Sequence, residues 1–239
     1  MMKKNVSLLL AVCAATLGAE IAPVVSFDFE KFENGKIYSA DQKYTGTVRN
    51  PEAVKQTDGK LGKALKIQGK YKGNKAGAIL VRNFKFDFTK PFTVEALVKF
   101  DAQISHKSQR ELFSVADGER GPGVRVTFYY NSISLRSGDG KKLQSAGTSH
   151  NQTAVSSEEW HLLTMTYDGK TLYAYLDGVL SSKKAIAIKN TVKNRILSLG
   201  SYKNGFCYPL HGDLDDLKFY NVCKTPAEVA EKYISIFGE

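Results

Sequence analysis

Period-two alternation of apolar and polar residues runs through most of this chain and confines those stretches to half-buried β-strands. Val25, Phe27 and Phe29 alternate with Ser26, Asp28 and Glu30. Phe92, Val94, Ala96, Val98 and Phe100 alternate with Thr93, Glu95 and Lys99, broken only by Leu97. Val124, Val126, Phe128 and Tyr130 alternate with Arg125, Thr127 and Tyr129, and Leu172, Ala174 and Leu176 with Tyr173, Tyr175 and Asp177. β-Branched and aromatic side chains, which suit a pleated surface, fill these runs. Shorter runs at 65–67, 78–81, 112–115, 133–135, 160–167, 196–199 and 214–220 bring the strands to about a dozen. Asp168-Gly169 and Asp177-Gly178 supply the positive φ angles of tight hairpin turns, so residues 160–188 read as a three-stranded meander. Only the C-terminus is helical in pattern. Thr225 caps, Pro226 takes the first position, and Glu228 completes a capping box before Val229, Ala230, Tyr233 and Ile234.

Lys3 and Lys4 precede an apolar stretch from Val6 to Ala15 and then Leu17-Gly18-Ala19, the layout of a secretory signal peptide. A cut after Ala19 is expected, because a cut after Ala22 would leave Pro23 immediately behind it. Residues 1–19 are then the signal and 20–239 one domain, a length that all-β units commonly reach. Many strands, one terminal helix and no linker-like stretch predict a two-sheet antiparallel sandwich of the jelly-roll kind. Leu10-Ala11-Val12-Cys13 resembles a lipobox, but Val12 stands where a small residue belongs, so release is favoured over a lipid anchor at Cys13. No apolar run reaches the roughly 18 residues of a membrane span. Losing Lys3 and Lys4 takes the formal charge from +10 to +8. An exported protein of that charge favours anionic surfaces or polymers, and export argues against nucleic acid. Its lysines are spread over the chain rather than gathered into an arm, which for any one of them reads as a solubilising surface. Cys207 and Cys223 flank a strand of eight or more residues. That strand spans roughly 26 Å, whereas bridged Cα atoms lie within about 7 Å, so both are expected to stay unpaired.

Five segments, in order, resemble one family. Gly59-Lys60-Leu61-Gly62-Lys63-Ala64-Leu65 is similar to the GxxGxAL segment of the laminin-G-like, concanavalin A-like jelly rolls of bacteria. Pro91 to Lys99 is similar to their FTxxAWVK strand, with Leu97 in place of Trp, and Trp160 to Gly169 to their WHHVAxTYDG strand. Tyr173 to Gly178 follows as LYVDG does, and Gly212 to Asn221 resembles GxIDDVRIYN. The resemblance covers residue 24 to about 237 and implies the fold; activity varies widely on this fold. It also implies a structural calcium ion, for which Asp41 with Asp215 or Asp216 would supply the carboxylates. Lys43 places a competing cation there. Strand parity puts Asp215 beside Leu217 and Phe219, so a second reading stands next to calcium: a buried carboxylate that accepts backbone hydrogen bonds.

Catalysis finds little support. A retaining glycosidase needs two carboxylates roughly 5–5.5 Å apart, which on a strand means acids two residues apart. Glu158-Glu159 and Asp215-Asp216 are adjacent and point to opposite faces, and Glu95 is alone. Gln103-Ile104-Ser105-His106, Arg110-Glu111-Leu112 and Tyr202-Lys203-Asn204-Gly205 faintly resemble alginate-lyase motifs, but the first carries an extra residue and the first two are in the wrong order. Four scattered histidines show no zinc spacing. The expected function is therefore a secreted, non-catalytic carbohydrate-binding or adhesion module for an anionic polysaccharide or glycan. The alternative is a polysaccharide lyase or glycoside hydrolase on the same fold. Sugar rings stack on aromatic faces and anionic sugars need a cation, so Arg125, Tyr129, Tyr173 and Tyr175 are the expected binding residues on an outer sheet face. The competing reading is that the tyrosines only cover that sheet or pack under the terminal helix.

Overall fold

The alternating runs become strands where their periodicity predicts. In this computed structural model the described residues are 21–71, 74–102, 109–116, 118, 120–129, 132–147, 155–189 and 195–238. The expected signal peptide with Cys13, and His106 and His150, lie outside them. In chain order the strands are β1 (Val25–Phe27), β2 (Phe32–Glu33), β3 (Lys36–Tyr38), β4 (Thr45–Arg49), β5 (Val54–Asp58) and β6 (Lys63–Ile67). Next come β7 (Ala78–Val81), β8 (Phe92–Phe100), β9 (Arg110–Ala116), β10 (Gly123–Tyr129), β11 (Ser132–Gly138) and β12 (Leu143–Gly147). Last are β13 (Trp160–Tyr167), β14 (Thr171–Leu176), β15 (Val179–Ala185), β16 (Leu197–Leu199) and β17 (Gly212–Tyr220), then helix α1 (Pro226–Phe237).

Among the described residues these strands form two antiparallel sheets. The eight-stranded sheet runs β15-β14-β13-β8-β17-β6-β5, with β1 also paired to β17. The nine-stranded sheet runs β12-β11-β10-β9-β16-β7-β4-β3-β2. The meander over 160–188 is present as β13, β14 and β15. One core lies between the sheets, built from Phe27, Leu65, Val98 and Leu217 on one side and Ile79, Phe113, Val126 and Leu199 on the other. Phe219 sits at its centre, with ring centroids 5.3 Å from Phe84, 5.4 Å from Phe86 and 5.5 Å from Phe113. Cys207 and Cys223 are both free.

The outer face of the eight-stranded sheet is covered as well. Thr93, Glu95 and Leu97 of β8 point away from the core yet are buried, which accounts for the apolar residue that breaks the alternation at Leu97. The cover is the segment leading into α1. Thr93 Oγ1 donates to the Val222 carbonyl at 2.8 Å and accepts from the Lys224 amide at 3.0 Å. The Lys224 ammonium donates to Glu95 at 2.8 Å and lies 3.6 Å from the centroid of Tyr220, whose hydroxyl donates to the same carboxylate at 2.7 Å. The capping box closes as the sequence predicts: the Glu228 amide donates to Thr225 Oγ1 (3.3 Å) and the Thr225 amide to Glu228 Oε2 (2.7 Å). The helix then packs on the β14–β15 turn. A Cβ at Gly178 would fall 2.9 Å from Tyr233 Cβ, so glycine is required there for space as well as for its φ of +77°.

One expectation is corrected here. Strand β17 shifts register against β8 between Asp215 and Lys218, with Asp216 at φ +46°. This bulge reverses parity, so Asp215 pairs with Leu97 on the outer face instead of sharing the core with Leu217 and Phe219.

Removing one member of a buried, hydrogen-bonded ion pair leaves the other uncompensated. Lys224→Met is expected to cost roughly 3–5 kcal/mol, and Glu95→Leu combined with Lys224→Met to recover a large part of that. Urea unfolding of the single and double variants measures both. Equal losses would show that the pair is not the source.

Candidate functional site

The outer face of the nine-stranded sheet carries a second buried polar cluster, and a bulge creates it. Against β10, the register of β9 shifts so that Val126 pairs with Phe113 and Thr127 with Glu111. The extra residue, Leu112, joins Phe113 in the core while Glu111 turns outward beside Arg125 and Thr127. Glu111 Oε1 accepts from Gln109 Nε2 at 3.0 Å and from Arg125 Nη1 at 3.3 Å. Thr127 Oγ1 lies 3.2 and 3.1 Å from its two oxygens. Burial outweighs these donors and pushes the Glu111 carboxyl up to about 7, with Arg125 the strongest opposing influence and Arg136 a further one.

A strap over residues 200–211 covers the cluster. The Gly200 amide donates to the Leu112 carbonyl (2.8 Å) and the Glu111 amide to the Tyr208 carbonyl (3.1 Å). The Ser198 and Ser114 hydroxyls donate to the Ser201 carbonyl at 3.0 and 3.4 Å. A second loop joins it, through Tyr208 N to Tyr71 O (3.3 Å) and Asn74 N to Phe206 O (3.2 Å). The rings form a continuous wall. The Arg125 guanidinium lies 4.7 Å from the Tyr202 centroid, Tyr202 stacks on Tyr208 at 5.9 Å, and Tyr71 meets Tyr208 edge-on at 5.0 Å. Tyr208 is at φ +58°, a strained conformation for a bulky residue that its neighbours must hold in place. Arg125 is 2% exposed, and its Nε and Nη2 have no hydrogen-bond partner. Tyr71 (36% exposed) and Phe206 (43% exposed) form the rim, with the Lys203 ammonium 5.6 Å from the Phe206 centroid. Chemically, the face offers exposed aromatic surface with an ammonium beside it, over a buried guanidinium. The groups acting on Glu111 are cations and neutral donors, not a second carboxylate.

The four expected binding residues do not share a surface. Arg125 and Tyr129 lie on β10 of the nine-stranded sheet, Tyr173 and Tyr175 on β14 of the eight-stranded sheet. The expectation of an exposed face is corrected for two of them. Arg125 is under Tyr202, and Tyr175 is 2% exposed and beside Cys223, in the segment that enters α1. Tyr129 is half-buried, and the half-buried Tyr173 donates its hydroxyl to Asp168 at 3.2 Å. Glu111, Tyr71, Tyr202 and Tyr208 were not among the expected binding residues. A signal existed, because Arg110-Glu111-Leu112 and Tyr202 to Gly205 stand out in the sequence, and here Glu111 and Tyr202 both contact Arg125.

The three candidate metal ligands have different surroundings. Asp41 is exposed, and its carboxylate accepts from Ser39 Oγ (2.6 Å) and the Lys43 amide (3.1 Å), which hold it below the usual range. Asp216 accepts from the Lys218 ammonium at 2.7 Å. Asp215 is fully buried. Its Oδ2 accepts from the Leu61 amide at 2.8 Å, its Oδ1 has no partner, and burial pushes it up to about 6. No group of three or more His, Cys, Asp or Glu assembles among the described residues.

Residues 72–230 match a family model described as the concanavalin A-like lectin/glucanases superfamily. Among solved structures, the binding domain of Paraclostridial Mosquitocidal Protein 1 is 18% identical with a TM-score of 0.67, covering 90% of this chain and 52% of that one. The receptor binding domain of botulinum neurotoxin type G is 16% identical with a TM-score of 0.63, over 88% and 50%. The binding domain of botulinum neurotoxin DC in complex with SialylT is 11% identical with a TM-score of 0.67, over 90% and 52%. The chain thus spans about half the length of these structures, and the likeness is one of fold. No curated protein matches the sequence.

Because Glu111 binds its proton more tightly when folded, stability falls as pH rises from about 4.5 to about 7, and the full penalty is present above that window. Glu111→Gln keeps the shape and removes the charge. Its melting temperature relative to the parent is expected to rise across the window. A difference that stays constant with pH would show that Glu111 does not titrate there.

Proposed function

This chain belongs to the concanavalin A-like lectin/glucanases superfamily, and from that premise we propose that it is a secreted, non-catalytic carbohydrate-binding or adhesion module for anionic glycans. The observation that carries this is the strap face, where exposed Tyr71 and Phe206 stand at the rim with the exposed Lys203 ammonium 5.6 Å from the Phe206 centroid. Aromatic faces stack on pyranose rings, and an exposed ammonium suits carboxylate or sulfate oxygens. The formal charge of +10, or +8 without residues 1–19, adds attraction for a polyanion. A lyase or hydrolase reading draws on the same face, because Glu111 and Tyr202, from two of the lyase-like segments, both contact Arg125 there, and an ultraviolet or reducing-end assay on uronate polymers tests it directly.

Retention on immobilised uronate and sulfated polymers at low salt is the expected result. Tyr71→Ala with Phe206→Ala is expected to weaken it by roughly tenfold, about 1.4 kcal/mol, with the melting temperature nearly unchanged. No retention on any such polymer would overturn the reading.

For calcium, the ion that the family resemblance implies, Asp215 is the residue that fits: an orphaned, buried carboxylate oxygen is what a hard cation takes. Asp41 and Asp216 already have partners. The ion would neutralise the buried charge of a carboxylate that already accepts from the Leu61 amide. Calcium is then expected to raise the melting temperature of EDTA-treated protein, and Asp215→Asn to abolish the response. Identical melting curves with and without calcium would remove the site.

A further inference from the structure

A pocket of about 520 Å³ opens where the β7–β8 connection meets the end of β9 and the start of β16, and it shares no residue with the strap face. Its size falls in the range of small-ligand sites, roughly 300–1,000 Å³. The connection is fixed in place by the Phe84 amide donating to the Arg195 carbonyl at 3.0 Å, and by Lys85 N donating to Tyr44 Oη at 3.2 Å. Phe86 is part of the lining and cannot move freely. Its ring lies 4.7 Å from Phe88, 5.4 Å from Phe219 and 6.2 Å from Phe92, all core residues. The result is a rigid aromatic wall under a polar mouth.

Among the described lining residues the charges at the mouth are unbalanced. Lys85 and Arg195 line the pocket and are exposed. Among the described residues Asp87 is the acid that lines it, and its Oδ1 already accepts from the Thr89 amide (3.0 Å) and Thr89 Oγ1 (2.6 Å). Those bonds hold Asp87 below the usual carboxylate range, and Lys90 and Arg195 lower it further, so a third cation acts on the same site. An ammonium and a guanidinium facing an acid that is already engaged suit an anionic ligand, and the guanidinium prefers a planar carboxylate. The Phe86 ring suits the apolar face of a pyranose.

We propose that this pocket binds an acidic pyranose unit, a hexuronate, with its carboxylate between Lys85 and Arg195 and its ring against Phe86. The site is independent of the strap face. It would let the protein hold a single acidic sugar, such as a chain end, as well as a polymer surface.

Sodium glucuronate is the probe, followed by saturation-transfer NMR on the full chain, with glucose as the neutral control. A single-ring ligand held this way is expected to bind with a Kd on the order of 1 mM, and glucose to give little transfer. Lys85→Ala and Arg195→Ala are each expected to weaken glucuronate at least fivefold, with the fold intact by melting temperature because both side chains are exposed. Lys55→Ala, which removes an exposed lysine outside the pocket lining, is expected to leave glucuronate binding unchanged. Equal transfer from glucose would overturn the acidic specificity. Absence of transfer, or binding lost with Lys55→Ala but kept in Arg195→Ala, would overturn the pocket while leaving the polymer reading to its own test.

Discussion

The extra residue at Asp216 lets Leu214 and Leu217 enter the same core although they are three positions apart. On a regular strand one of them would face outward, because side chains alternate strictly. Strand β17 pairs with β1, β6 and β8, so its register sets theirs. The same bulge leaves Asp213 and Asp215 together on the outer face. Asp213 there draws in the ammonium groups of Lys66 at 3.5 Å and Lys99 at 3.3 Å. Asp215 takes the Leu61 amide and so anchors the turn between β5 and β6. A one-residue irregularity thus organises the centre of one sheet and the loop packed over it.

This geometry also explains why the family-like segments recur at a distance. A Cβ on Gly59 would lie 2.5 Å from Asp215 Oδ2, so the glycine of one segment makes room for the aspartate of another. His161 Nδ1 and Asp177 Oδ2 are 2.8 Å apart, and Asp177 Oδ1 accepts from the Leu162 amide at 2.9 Å, which joins the tryptophan strand to the strand after it. Asp168 closes the intervening turn by accepting from the Lys170 and Thr171 amides at 2.8 and 2.7 Å. Each segment is half of a contact, and neither half has a reason to exist without the other.

Much of the fold was legible in the sequence, and the gaps have physical causes. Alternation placed β8, β10 and β14, and Thr225 to Glu228 placed the start of the helix. Alternation also says which side a residue faces, but not what lies over that side. Arg125 and Tyr175 do point away from the core, yet the strap covers one and the lead-in to α1 adjoins the other. The strap itself has no period, since Lys203, Asn204 and Tyr208 sit at positive φ. Nothing in a run of loop residues announces that it will fold back over Glu111. Asp215 was misplaced because a bulge is one residue long and leaves no mark on the pattern around it.

Strands β12 and β15 end their respective sheets, and they end them side by side. The Ser182 hydroxyl donates to the Gly147 carbonyl and the Lys184 ammonium to the Ser145 carbonyl at 2.9 Å. Gln144 meets Ala187 through both its amide oxygen (3.2 Å) and its amide nitrogen (3.1 Å). Side chains of each margin therefore occupy backbone groups of the other, and Lys183 and Lys184 put charge on the outermost strand. An open sheet margin invites a strand from another molecule, and lysines with occupied backbone groups discourage it. At this margin the two sheets protect one another from intermolecular strand addition, which favours a protein that stays dispersed at high concentration.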